Sequence, residues 1–169
     1  MSMRKPTLRV ISISILLFFV GGAVSPLRAG ATQSPTQKER DWELVRTLLE
    51  EANNIKHDRD ARRRGYLVAA KEFVKWFVMH VKDEGSVEYV NAAFHLGITW
   101  ESAGAYEKAE ELLEQCDHHK MRNHPRAKYK GGALAPQIKG HLEAVRERLH
   151  EIKIETQIEI RMESRRPGN

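Results

Sequence analysis

The chain has 169 residues, enough for one domain of ordinary size and too few for two. It holds 28 lysines and arginines against 23 aspartates and glutamates, for a formal net charge of +5, and one cysteine, Cys116. One cysteine excludes an internal disulfide, so the core must be held by packing alone.

The first 31 residues follow the order of a secretory signal peptide. Basic residues within the first nine positions precede an apolar run at 10–20, and the small residues Ala29 and Ala31 mark a cleavage site. The apolar run is shorter than the roughly 20 residues that a membrane-spanning helix needs. The sequence predicts an exported protein, periplasmic or secreted, with an uncleaved N-terminal membrane anchor as the alternative.

The predicted signal peptide also carries much of the excess positive charge. It contains four basic and no acidic residues, so the net charge of the mature chain falls to about +1. This balance argues against a globally basic body that binds nucleic acid. The remaining charges are abundant and mixed in sign, which is typical of solvated helix faces.

After a polar linker at 32–38, apolar residues recur every three or four positions, as in amphipathic helices. This pattern predicts an all-α domain over 39–163 with about five helices, and a frayed tail over 164–169. The predicted helices span 39–55, 62–82, 87–102, 106–116 and a long last segment that starts near Pro136. Ser86 is the predicted N-cap of the third helix, and Gly104 the turn after it. Residues 117–133 are predicted to form a polar loop.

Residues 93–116 read AFHLGITWESAGAYEKAEELLEQC. They resemble a tetratricopeptide repeat, a unit of two helices with a loose pattern of small and large residues. The positions that match the family pattern are Leu96, Gly97, Trp100, Gly104, Tyr106, Ala109, Leu113 and Cys116. Gly97 and Ala109 are the small residues expected where the two helices cross. One unit over about 90–121, a degenerate hairpin before it and a long C-terminal capping helix would form a short TPR-like array.

Tetratricopeptide units are scaffolds that bind a peptide or protein on a concave face built from their first helices. The resemblance therefore implies a protein-protein interaction module or scaffold, whose partner is another protein or peptide. Carried onto the third helix, the partner-binding residues are Asn91, Phe94, Ile98, Glu101 and Ser102. Phe94 and Ile98 lie on a stripe that either packs against the second helix or belongs to this binding surface.

An alternative function is suggested by the residues that follow the fourth helix. A small extracytoplasmic metal-binding protein could use Cys116, His118, His119 and His124, because thiolate and imidazole bind zinc or copper. The spacing matches no closed zinc site and a second cysteine is missing. A solvated loop is the competing interpretation.

The same segment is rich in basic residues. Its members are Lys120, Arg122, Arg126, Lys128 and Lys130. Such a patch could make weak contact with an anionic surface. Tyr129 is its only aromatic ring, which argues against specific nucleic-acid binding.

The chain contains no GxSxG, phosphate-loop, HExxH or CxxCH pattern. The sequence therefore predicts a protein that is not an enzyme and uses no cofactor.

Overall fold

A computed structural model describes residues 36–164, which fall within one compact unit of the chain. Five α-helices follow in order: α1 (Gln37–Asn54), α2 (Arg59–His80), α3 (Val87–Ala103), α4 (Tyr106–His118) and α5 (Leu134–Ser164). The all-α prediction, with five helices of which the last is long, is confirmed. The predicted signal peptide, most of the linker and the end of the tail lie outside the described residues.

Helix boundaries follow from capping groups near the predicted positions. Thr36 and Glu39 form a capping box, so α1 begins at Gln37 and the last two residues of the predicted linker are helical. Asp58 accepts a hydrogen bond from the Ala61 amide at 2.8 Å, and α2 begins at Arg59, three residues before its predicted start. Ser86 caps α3 as predicted.

Each helix packs mainly against the next one in the chain, from α1 to α5. The middle helix, α3, is the most buried, and Val90, Ala93 and Phe94 have no exposed surface. A Cβ atom at Gly97 would lie 3.2 Å from Cγ and Cδ2 of Leu113. Gly97 therefore makes room for Leu113 on α4.

Aromatic rings join α1 to α2. The Trp42 ring lies 5.4 Å from that of Phe73 and 4.8 Å from that of Trp76, between centroids. The indole nitrogen of Trp76 donates a hydrogen bond to the Lys38 carbonyl at 3.2 Å. Contacts of this kind hold α1 against α2.

The segment predicted as a loop over 117–133 contains regular structure. A 3₁₀ turn spans Lys120–Asn123, and strands β1 (Lys128–Tyr129) and β2 (Gly132–Ala133) form an antiparallel hairpin. Its two turn residues, Lys130 and Gly131, have φ angles of 48° and 80°, the left-handed conformation that two-residue hairpin turns require. The hairpin places the Tyr129 ring in the core, 5.0 Å from the ring of Phe94.

The last helix, α5, begins two residues before Pro136 and is covered only along its first half. The buried apolar side chains of this half are Leu134, Ile138, Leu142, Val145 and Leu149. From Lys153 to Ser164 every residue is exposed. In the described range 36–164, no helix combines the length and the apolar character needed to cross a membrane.

Candidate functional site

The predicted partner-binding residues of α3 do not all reach the surface. Phe94 is fully buried, with its ring 5.0 Å from that of Tyr129 and 5.5 Å from that of His141. The β-hairpin and α5 cover it, so its assignment to a partner surface is wrong. Of the two alternatives for its stripe, Phe94 takes core packing.

Asn91 and Ile98 are half-buried. The Asn91 side chain donates a long hydrogen bond, 3.5 Å, to the Arg126 carbonyl and so connects α3 to the loop before the hairpin. Ile98 packs against the core and keeps a partly exposed edge. Neither residue lines the two clefts described next.

Glu101 and Ser102, near the end of α3, line a cleft. The cleft encloses about 220 Å³ between the first turns of α2, the end of α3 and the start of α4. Its lining residues are Arg59, Arg62, Arg63, Tyr66, Glu101, Ser102 and Tyr106. We call it the arginine cleft.

The arginines of this cleft are held by neutral groups. Arg62 donates a hydrogen bond to Oδ1 of Asn53 at 3.4 Å and lies over the Tyr66 ring, 5.8 Å from its centroid. Arg63 donates to the Tyr106 hydroxyl at 3.4 Å. Within residues 36–164, neither these two nor Arg59 forms an ion pair. Their positive charges therefore lack a carboxylate partner.

Gly104 lets Arg63 reach across the end of α3. Its φ of 78° ends the helix in the left-handed conformation, which glycine adopts without steric cost. A Cβ atom there would lie 3.4 Å from Nε of Arg63, so the guanidinium lies close over the glycine. The glycine predicted as a turn thus also shapes the cleft.

The carboxylate of Glu101 is already engaged. Its Oε2 atom lies 2.7 Å from Nδ1 of His141 on α5. A second cleft of about 250 Å³ lies on this side, and its lining residues are Glu101, Gln137, Gly140, His141 and Ala144. Glu101 therefore borders both clefts, and the pair that it makes with His141 ties α3 to α5.

Guanidinium groups bind carboxylates and phosphates through paired hydrogen bonds. The Tyr106 hydroxyl, which accepts from Arg63, adds a further donor, whereas the Tyr66 hydroxyl already donates to Asn53. An arginine cleft that is open to solvent can therefore bind a negatively charged side chain or terminus.

The described residues contain no group of three or more His, Cys, Asp or Glu side chains that could hold a metal ion.

The four predicted metal ligands are dispersed. Cys116 is buried, and its Sγ lies 3.8 Å from the Val90 carbonyl, to which it donates. Burial raises the pKa of this thiol to about 12, which disfavours the thiolate form that binds metals. The Nε2 of His119 lies 2.7 Å from the Glu84 carbonyl, and Nδ1 of His124 accepts from the Arg126 amide. His118 is exposed at the end of α4.

The predicted basic patch lies partly on the β1–β2 hairpin, which carries Lys128 and Lys130. Lys120, Arg126, Lys128 and Lys130 are exposed, whereas Arg122 is half-buried and lies 4.0 Å from a carboxylate oxygen of Asp117. Tyr129 points into the core, so its ring is not free to stack on a base. The patch offers charge alone.

The arginine cleft is not among the sites that the sequence predicts. Its local signal is the spacing of Tyr66, which stands four residues after Arg62 and thus on the same helix face. Comparisons of the chain with models of protein families, with curated proteins and with solved structures find no match.

Proposed function

We propose that this protein is an exported interaction module whose TPR-like helical hairpins bind another protein or peptide. Each helix stacks on its neighbour in the chain, an order that repeat units share with other all-α folds. Two residues that the resemblance assigns to the partner surface, Glu101 and Ser102, border the arginine cleft.

The observation that carries the proposal is the set of arginines without ion pairs in this cleft. A partner segment that presents a carboxylate would supply what Arg59, Arg62 and Arg63 lack within the described chain. Charge-assisted hydrogen bonds to arginine contribute about 1.5–3 kcal/mol each. The partner surface is thus the rim of the arginine cleft, with Ser102 at its edge, and excludes the buried Phe94.

Photo-crosslinking in the native envelope tests this proposal. A photoreactive residue at position 102 should capture a partner, and Arg62→Gln should reduce the yield by about tenfold or more. Lys56→Gln is the matched control, because Lys56 is an exposed basic residue three positions before α2 and does not line the cleft. Equal capture by all three chains would refute a role for the cleft.

A further inference from the structure

Two helix faces of this protein are exposed although they are partly apolar. The first is the outer face of α2. Its apolar members are Leu67, Val68, Val78 and Met79, which are 36%, 50%, 62% and 51% exposed. Its basic members are Arg64, Lys71 and Lys75, all exposed.

Helical periodicity arranges these seven residues in rows. At 100° per residue the basic side chains form a central row, with Leu67 and Val78 on one side and Val68 and Met79 on the other. Glu72, which flanks this face, forms an ion pair with Lys75 at 2.6 Å. Arg64 and Lys71 form no ion pair with any described residue. The outer face of α2 is therefore an apolar strip with a positively charged centre.

The second face lies on the free half of α5, residues 153–164. Ile154, Ile158 and Met162 recur at intervals of four and are 43%, 52% and 63% exposed. Beside this apolar row runs an acidic row at the same interval, formed by Glu151, Glu155, Glu159 and Glu163. Arg148 pairs with Glu151 and Glu155, whereas Glu159 and Glu163 form no ion pair within residues 36–164.

These two faces are complementary in charge, in apolar content and in length. The free half of α5 is about 18 Å long, and the segment of α2 from Leu67 to Met79 is about 20 Å long. Rows of side chains spaced by four residues are the ridges that interlock when helices pack. Basic residues on the α5 segment, Lys153 and Arg161, lie away from the acidic row.

We propose that the outer face of α2 binds the free half of α5 from a second copy of this chain. Within one copy the two faces do not meet, because residues 153–164 are exposed throughout. Reciprocal exchange, with each copy giving α5 and receiving on α2, closes the assembly as a two-fold dimer. An isolated helix of about 12 residues is marginal in water, and the second copy would stabilise this one.

Charge reversal in the purified full chain tests the proposal. Lys71→Glu/Lys75→Glu makes the α2 face acidic, and Glu159→Lys/Glu163→Lys makes the α5 face basic. Sedimentation should show a dimer for the wild-type protein and monomers for each double variant alone, a weakening of at least about tenfold. An equimolar mixture of the two variants should restore the dimer, because each α5 then meets an α2 face of opposite charge.

Matched reversals away from both faces provide the controls. Lys128→Glu/Lys139→Glu and Glu143→Lys/Glu147→Lys alter exposed residues and should leave the dimer intact. A wild-type chain that stays monomeric, or a mixture of variants that does not associate, would overturn the proposal. Binding of a monomeric wild-type chain to phosphatidylglycerol vesicles, lost in Lys71→Glu/Lys75→Glu, would assign the α2 face to an anionic membrane instead.

Discussion

The two halves of α5 share a backbone conformation and differ in their surroundings. In the first half Ile138 and Val145 are fully buried, whereas in the second half Ile154 and Ile158 are 43% and 52% exposed. Both halves carry isoleucine at helical spacing. An apolar row is therefore covered only where a neighbouring element extends far enough to reach it.

The length of α4 determines where the cover ends. Arg146 on α5 forms ion pairs with Glu110 and Glu114, and Arg148 lies beside Tyr106, the first residue of α4. The two helices thus run antiparallel, and α5 continues past the start of α4. Since α4 has 13 residues and α5 has 31, more than half of α5 cannot lie against α4.

The largest expected difference is in the free energy of unfolding, when one isoleucine is truncated in each half of α5. Ile138→Ala should lower the free energy of unfolding by about 2–4 kcal/mol, because it leaves a cavity in the core. Ile158→Ala should change it by less than about 0.5 kcal/mol, measured at a concentration at which the chain is monomeric. Urea denaturation followed by circular dichroism measures both. Similar losses in the two variants would contradict the comparison.

A pH dependence should come from the packed region. The His95 ring lies 5.4 Å from that of Tyr129, and burial lowers the pKa of His95 from 6.5 to about 4. Between these values the unfolded chain binds more protons, so stability is complete above pH 6.5 and falls as the pH is lowered through this window.

Between pH 7 and pH 5 the wild-type chain should therefore lose about 1–2 kcal/mol more stability than His95→Gln. The lower value of about 1 kcal/mol applies because the His95 ring is partly exposed, and solvent reduces the effect of burial on its protonation. Urea midpoints at the two pH values measure the difference. Parallel pH dependences in the two chains would show that His95 is not enclosed as described.

A smaller difference in the denaturation midpoint is expected between substitutions of two exposed arginines of α5. Arg146→Ala removes ion pairs to α4 and should lower the denaturation midpoint slightly at low salt, with no difference from wild type at 1 M salt. Arg161→Ala, in the free half, should leave the midpoint unchanged at either salt concentration. A salt-independent loss in Arg146→Ala would point to packing of its aliphatic chain.

The smallest effect is expected from truncation. Ending the chain after Ile152 removes no buried side chain. The free energy of unfolding of the monomer should therefore stay within about 0.5 kcal/mol of the wild-type value. The same truncation should abolish the proposed dimer. A large loss of monomer stability would show that residues 153–164 pack against the body.

Much of the helical architecture could be predicted because its signals are local. Periodic apolar residues, the cap Ser86 and the turn glycine Gly104 each act within a few residues of the chain. The hairpin at 128–133 was missed because Lys130 occupies a left-handed turn position that usually holds asparagine, aspartate or glycine.

The candidate site was harder to predict because it depends on contacts between distant segments. Helical spacing places Phe94 on an outer stripe, but the hairpin 35 residues later folds over it through Tyr129. Arg63 enters the arginine cleft because α2 lies beside the end of α3, where Tyr106 accepts its hydrogen bond. Neither arrangement has a signature within one helix.

The single cysteine can report when the packing between α3 and α4 transiently opens. Cys116 is 1% exposed, and its thiol stays protonated, so an alkylating reagent should modify it only when the packing of α3 and α4 separates. With no other thiol in the sequence, each modification event reports on this one position. The rate of labelling in excess reagent would then count transient openings of the native chain, without mutation or an added dye.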